Sequence, residues 1–122
     1  SANAGLFGDL NDCVRFAQML AQQGEGLLSP ATMRKATLNY TPGHDVHRGL
    51  GFHLGGTEGN YLGDLFPADS FGHTGFTGTS IAVDPHSWLW AVLLTNRDNE
   101  KHLRFRRRFH NAIYAAYSRR NR

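Results

Sequence analysis

Apolar residues recur at helical spacing near the start of the chain. Leu10, Cys13, Val14, Ala17, Leu20 and Ala21 share one stripe, with Phe16 at its edge. Asp9 can cap the free amides of this helix, with Asp12 three residues on, and Gly24 and Gly26 end it, which predicts a helix over residues 9–22. Ser29-Pro30 supplies a cap and a first-turn proline for a second helix over 29–38, stopping before Thr41-Pro42-Gly43. Between residues 40 and 70 the pattern weakens: 49–54 alternates enough for a short strand, 55–60 is a turn by composition, and 61–69 is loop. Three further strands are predicted at 71–75, 78–84 and 88–95, the last two joined as a hairpin at Asp84-Pro85-His86-Ser87. Arg97-Asp-Asn-Glu100 reads as a polar connection. A closing helix over 102–118 places Phe105, Phe109, Ala112, Ile113, Ala116 and Tyr117 on one face, with its arginines mostly on the other.

This order predicts an α+β fold with an antiparallel sheet and packed helices. The 88–95 strand is apolar along nearly its whole length, so burial on both faces and a neighbour on each side are expected. Only one neighbour, the 78–84 strand, is evident in the chain, so something else should cover the other edge.

The 122 residues fit one domain, with no repeat or linker dividing them, and two Trp, four Tyr and eight Phe can fill a core. One cysteine, Cys13, excludes an intrachain disulfide and leaves the compartment undetermined. No stretch reads as a signal peptide, and no apolar run approaches the roughly 18 residues of a membrane span. Ser1-Ala-Asn-Ala-Gly5 reads as an internal stretch of a longer polypeptide. The net charge is only +3, yet seven arginines (104, 106, 107, 108, 119, 120 and 122) lie in the last nineteen residues. A solvated helix face and tail accounts for them better than nucleic-acid binding, since within 104–108 the only interleaved aromatic is Phe105, which helical spacing assigns elsewhere. His44, His47 and His53 lie near one another in sequence, but no cysteine or carboxylate cluster completes a ligand set, and neither a metal nor a cofactor is predicted.

The chemistry is concentrated in Phe71-Gly-His-Thr-Gly-Phe-Thr-Gly-Thr-Ser80, followed by the apolar hairpin. His73-Thr74-Gly75 resembles the late motif of the β-lactamase-like serine hydrolases, which include class C β-lactamases, penicillin-binding proteins and related esterases. Ala4-Gly-Leu-Phe7, Leu27-Leu-Ser-Pro30, Gly49-Leu-Gly-Phe52, Leu94-Thr-Asn-Arg97 and the Phe105-to-Tyr114 stretch resemble other landmarks of that family, in order, so the resemblance spans nearly the whole chain. It implies the C-terminal part of a β-lactamase/transpeptidase-like fold. His73 and Thr74 would then help to position a substrate carboxylate or carbonyl, Gly75 would leave room for the substrate, and the Phe76 backbone N–H would serve as an oxyanion donor.

The chain departs from the family where the nucleophile belongs. No Ser-x-x-Lys is present: Ser29 is followed three residues on by Thr32, Ser70 by His73 and Ser80 by Val83. Ser1-Ala-Asn3 has the letters of the family's second motif, but it sits against Ala4-Gly-Leu-Phe7, well past where that motif belongs. Thr32-Met-Arg-Lys35 has the spacing of the first but lies inside a predicted helix. Gly78-Thr-Ser80 is no nucleophile elbow, because Ser80 enters a strand. The resemblance therefore implies an incomplete hydrolase, acting on ester, amide or β-lactam bonds in its parent and inactive alone. Its expected partners are the missing N-terminal part or a second copy of itself, and a small-molecule or peptide substrate. A self-associating interaction module is the rival reading.

Overall fold

A computed structural model describes residues 4–97 and 101–121. Ser1-Ala-Asn3, positions 98–100 of the polar connection and Arg122 lie outside the described residues. The order is α1 (Leu10–Ala21), α2 (Pro30–Ala36), β1 (His53–Leu54), β2 (Phe71–Thr74), β3 (Ser80–Val83), β4 (Trp90–Leu93) and α3 (His102–Arg120). The strands form one antiparallel sheet in the order β1-β2-β3-β4, so the α+β architecture is as predicted.

The two N-terminal helices start where their caps direct. The Asp9 carboxylate accepts from the Asp12 N–H at 3.0 Å while Asp12 accepts from the Asp9 N–H at 3.1 Å, a reciprocal capping box. Ser29 Oγ accepts from the Thr32 N–H at 3.1 Å, with Pro30 in the first turn. Between them, Gly24 takes a φ of +89°, and a Cβ there would come within 2.8 Å of both the Leu28 and Met33 side chains. Glycine thus lets α2 pack against the end of α1.

Each face of the sheet has its own core. On one, Leu20 and Ala21 of α1 and Met33 of α2 pack with Leu54, Phe71 and Val83, and Phe52 meets Phe71 edge-on at 5.1 Å. On the other, Tyr61, Leu62 and Phe66 of the long loop pack with Ala82 and Ala91, joined by Phe109, Ile113 and Tyr114 of α3. Alternation along β3 feeds both, Val83 to the first core and Ala82 to the second. The hairpin closes on Asp84, whose buried carboxylate accepts from the His86 N–H, the Ser87 hydroxyl and Tyr114 Oη.

Three expectations are corrected. The 49–54 strand shrinks to His53–Leu54, because Gly49 N–H bonds Phe52 O at 3.0 Å in a tight turn and Leu50 N–H goes to Ala36 O at 2.7 Å. The strand at 88–95 shortens to β4, which pairs only with β3 among the described residues, as the sequence implied, but with only Ala91 buried it lacks the expected burial on both faces. The closing helix is rotated from the predicted face: Phe109 and Ile113 pack on the core as expected, but Arg106 and His110 are its buried residues, while Phe105 is 54 % exposed and Ala112 and Ala116 are exposed. Buried hydrogen bonds, described below, set that rotation.

Candidate functional site

His73 and Thr74 end β2, and Gly75 opens the turn that leads into β3. They lie along a cavity of about 410 Å³ bounded by Phe16 and Leu20 of α1, Leu50 and Phe52 of the preceding turn, and Leu94 beyond β4. The walls are apolar and the His-Thr-Gly strand supplies polar groups. An apolar cleft with a few convergent polar groups is the form small-molecule sites take.

Hydrogen bonding sets the tautomer of His73. Its Nε2 lies 3.2 Å from Arg48 Nη1, and a guanidinium only donates, so Nε2 accepts. The proton therefore resides on Nδ1, which donates to Thr74 O at 2.8 Å. Arg48 makes no ion pair among the described residues, which leaves its other N–H groups toward solvent. His53, on β1, sits with its ring 6.4 Å from that of His73. Burial, then the Arg48 charge, then His73 hold the His53 pKa down at about 4.

The turn after the motif is tied through Gly75, Thr77 O and Gly78. Gly75 N–H donates to Thr79 O at 2.9 Å and Gly78 N–H to Gly75 O at 3.2 Å. Thr77 O accepts from Arg97 N–H at 3.1 Å and from the Thr95 hydroxyl. Gly75 O and Gly78 O accept from Arg106 of α3. Among the described residues the Phe76 N–H donates to no acceptor, and the Phe76 side chain is 84 % exposed. A Cβ on Gly75 would strike Thr79 Oγ1, so glycine there makes room for the turn itself.

One buried pair has the chemistry of a nucleophile and base without the access. Ser80 Oγ lies 3.3 Å from His110 Nε2, and His110 Nδ1 donates to Tyr61 O at 2.9 Å. Ser80 is 3 % exposed and His110 fully buried, so a substrate carbonyl cannot reach them and the pair fastens α3 to β3 and the loop. Burial pulls the His110 pKa below its ordinary value, with the bond to Tyr61 O opposing and Arg106 adding to the depression.

Sequence reading missed Arg48, Arg106 and His110. Arg106 and His110 sit within the basic run and on the polar side of the predicted helix, where charge and polarity argue for solvent. Arg107 is likewise spent internally, on Asp64 at 2.6 Å, which thins the basic cluster to exposed Arg104, Arg108, Arg119 and Arg120. Thr32, of the Thr-x-x-Lys imitation, hydrogen-bonds Ser29 Oγ at 2.9 Å in the helix cap. Among the described residues no group of three or more His, Cys, Asp or Glu is placed to hold a metal ion, and no helix is long and apolar enough to cross a membrane.

The comparisons fit this geometry. A putative D-alanyl-D-alanine carboxypeptidase of Salmonella enteritidis PT4 is 35 % identical over 103 residues, covering 80 % of this chain and 23 % of that protein. Its counterpart in Escherichia coli K12 is 33 % identical over the same length, with the same coverage. The chain thus spans about a quarter of the curated relatives it matches. A crystal structure of a β-lactamase from Mycobacterium bovis superposes with a TM-score of 0.81 at 28 % identity, over 90 % of this chain and 44 % of that one. The β-lactamase family model matches residues 2–116, nearly the full length. The chain belongs to the β-lactamase family.

Proposed function

We propose that this chain is the C-terminal part of a serine hydrolase that works through an acyl-enzyme, and that it is inactive alone. The observation that carries this reading is His73-Thr74-Gly75 lining an apolar cleft, followed directly by a Phe76 N–H that has no acceptor among the described residues. In the parent, a serine oxygen outside this chain attacks the substrate carbonyl. The carbonyl oxygen takes the negative charge, held by the serine's own amide and by Phe76 N–H; the C–O or C–N bond then breaks, and water later releases the acyl group. His73 and Thr74 face the substrate from β2. Arg48 beside His73 supports substrates that carry a carboxylate, such as a peptide ending in one, because a guanidinium pairs with carboxylate through two parallel N–H bonds.

The test is labelling with a fluorophosphonate or a penicillin. The purified chain should remain unlabelled, and the longer natural polypeptide should be labelled at a serine outside these 122 residues. Labelling of any serine within the chain sinks the proposal.

A second reading, self-association, is favoured by the outer edge of β4, which has no partner among the described residues and is continued by half-exposed Leu94. Under it, size-exclusion chromatography with light scattering should show dimers or larger species that grow with concentration. A monodisperse monomer throughout would remove it.

A further inference from the structure

We propose that Arg106 is a positioning residue for the oxyanion turn: from α3 it holds the carbonyls at both ends of residues 75–78 and so sets where the Phe76 N–H stands relative to the cleft lined by Gly75 and Thr79. The proposal rests on the serine-hydrolase reading above. Arg106 is 8 % exposed, and neither of the ion pairs among the described residues includes it. Its donors go instead to Gly78 O, from Nε at 3.1 Å, and to Gly75 O, from Nη2. A buried guanidinium without a carboxylate is an expensive way to attach a helix to a sheet, and an apolar side chain of similar volume does that more cheaply. What the guanidinium adds is geometry. Its planar fork spans two carbonyls three residues apart, on either side of Phe76 and Thr77, whose amides the turn leaves unused.

The anchor on the far side is firm. One helical turn beyond Arg106, His110 is bonded to Tyr61 O and Ser80 Oγ, and Arg107 and Asn111 both bond the Asp64 carboxylate. The position of α3 is therefore set by β3 and the long loop, and Arg106 transmits it to the turn. Thr95 and Arg97 N–H hold Thr77 O from the β4 side. An oxyanion donor acts only when it stands where the charge develops, so a small displacement of the turn is costly to the reaction and nearly invisible to substrate binding.

The experiment uses the natural polypeptide that carries this chain, as wild type, Arg106→Met and Arg106→Lys. It has two readouts: hydrogen exchange followed by mass spectrometry, and the kinetics of acylation by penicillin. In Arg106→Met, exchange of the peptide covering residues 75–79 should accelerate by about tenfold or more while β3, β4 and α1 stay protected. The acylation rate constant should fall by about two to three orders of magnitude, with the dissociation constant of the non-covalent complex roughly unchanged. Arg106→Lys, which keeps the charge but not the fork, should fall between. Unchanged exchange at 75–79 in a folded Arg106→Met protein, or loss of binding without loss of the acylation rate constant, overturns the proposal. If Arg106→Met does not fold, Arg106→Lys decides by the same criteria. Failure of the wild type to acylate would overturn the hydrolase reading, while the exchange data would still decide whether Arg106 holds the turn.

Discussion

Gly72, directly before His73, shows how tightly single positions constrain the cleft strand. The Tyr61 hydroxyl donates to Ile81 O at 2.9 Å and lies across the β2–β3 pair at this point. A Cβ on Gly72 would come 2.5 Å from that hydroxyl and would also strike Ile81 O. Gly72→Ala must therefore push β2 from β3 or expel the Tyr61 hydroxyl, leaving a buried polar group unpaired. We expect a loss of about 1–3 kcal/mol, read as a lower urea midpoint with unchanged slope. Adding Tyr61→Phe should recover part of the loss, since it removes one of the two obstacles; strictly additive effects would show that the two sites do not touch. Wild-type stability in Gly72→Ala would contradict the close approach itself.

At the scale of elements, legibility followed the range of the interactions that define each one. The capping box of α1 and the Ser-Pro start of α2 are local, so Asp9, Asp12, Ser29 and Pro30 announced them from sequence. The β3–β4 hairpin was equally plain, because Asp84 bonds His86 and Ser87 within its own turn. The inward face of α3 was not. Its centre is Arg106 and His110, made tolerable inside by Gly75 O, Gly78 O, Tyr61 O and Ser80 Oγ, partners some thirty to fifty residues away. A hydrophobic pattern counts such residues as outward, and Phe105 as inward, which is the reverse of what the hydrogen bonds impose. The turn at 49–52 failed for the same reason, since alternation there says nothing of the Ala36 carbonyl that takes the Leu50 N–H. In the site, His73-Thr74-Gly75 was readable as a motif, whereas Arg48, 25 residues from His73, had no signal connecting the two.

For the molecule as a whole, half-buried His53 and buried His110 shape how it responds to acid. His53 is held at about 4 by burial first, then by the Arg48 charge and His73, and the His110 pKa is lowered chiefly by burial. In the unfolded chain both take up a proton near about 6.5. Between about 6.5 and about 4 the unfolded state thus binds protons that the folded state does not, so the unfolding free energy increases with pH across that window. The contribution is complete above about 6.5 and is lost progressively as the solution is acidified toward 4. Urea midpoints from pH 7.5 down to 4.5 should decline, and His53→Gln should flatten the decline by removing one of the two protons taken up on unfolding. Arg48→Gln separates the causes. With the second-largest contribution gone, the His53 resonances should titrate at higher pH, though still below the free value because burial remains. His53 titrating near 6.5 in the intact protein would mean that it is not enclosed between Arg48, Tyr61 and His73. A rise in the His53 titration on Arg48→Gln would show that this guanidinium's field acts on His53 in addition to burial.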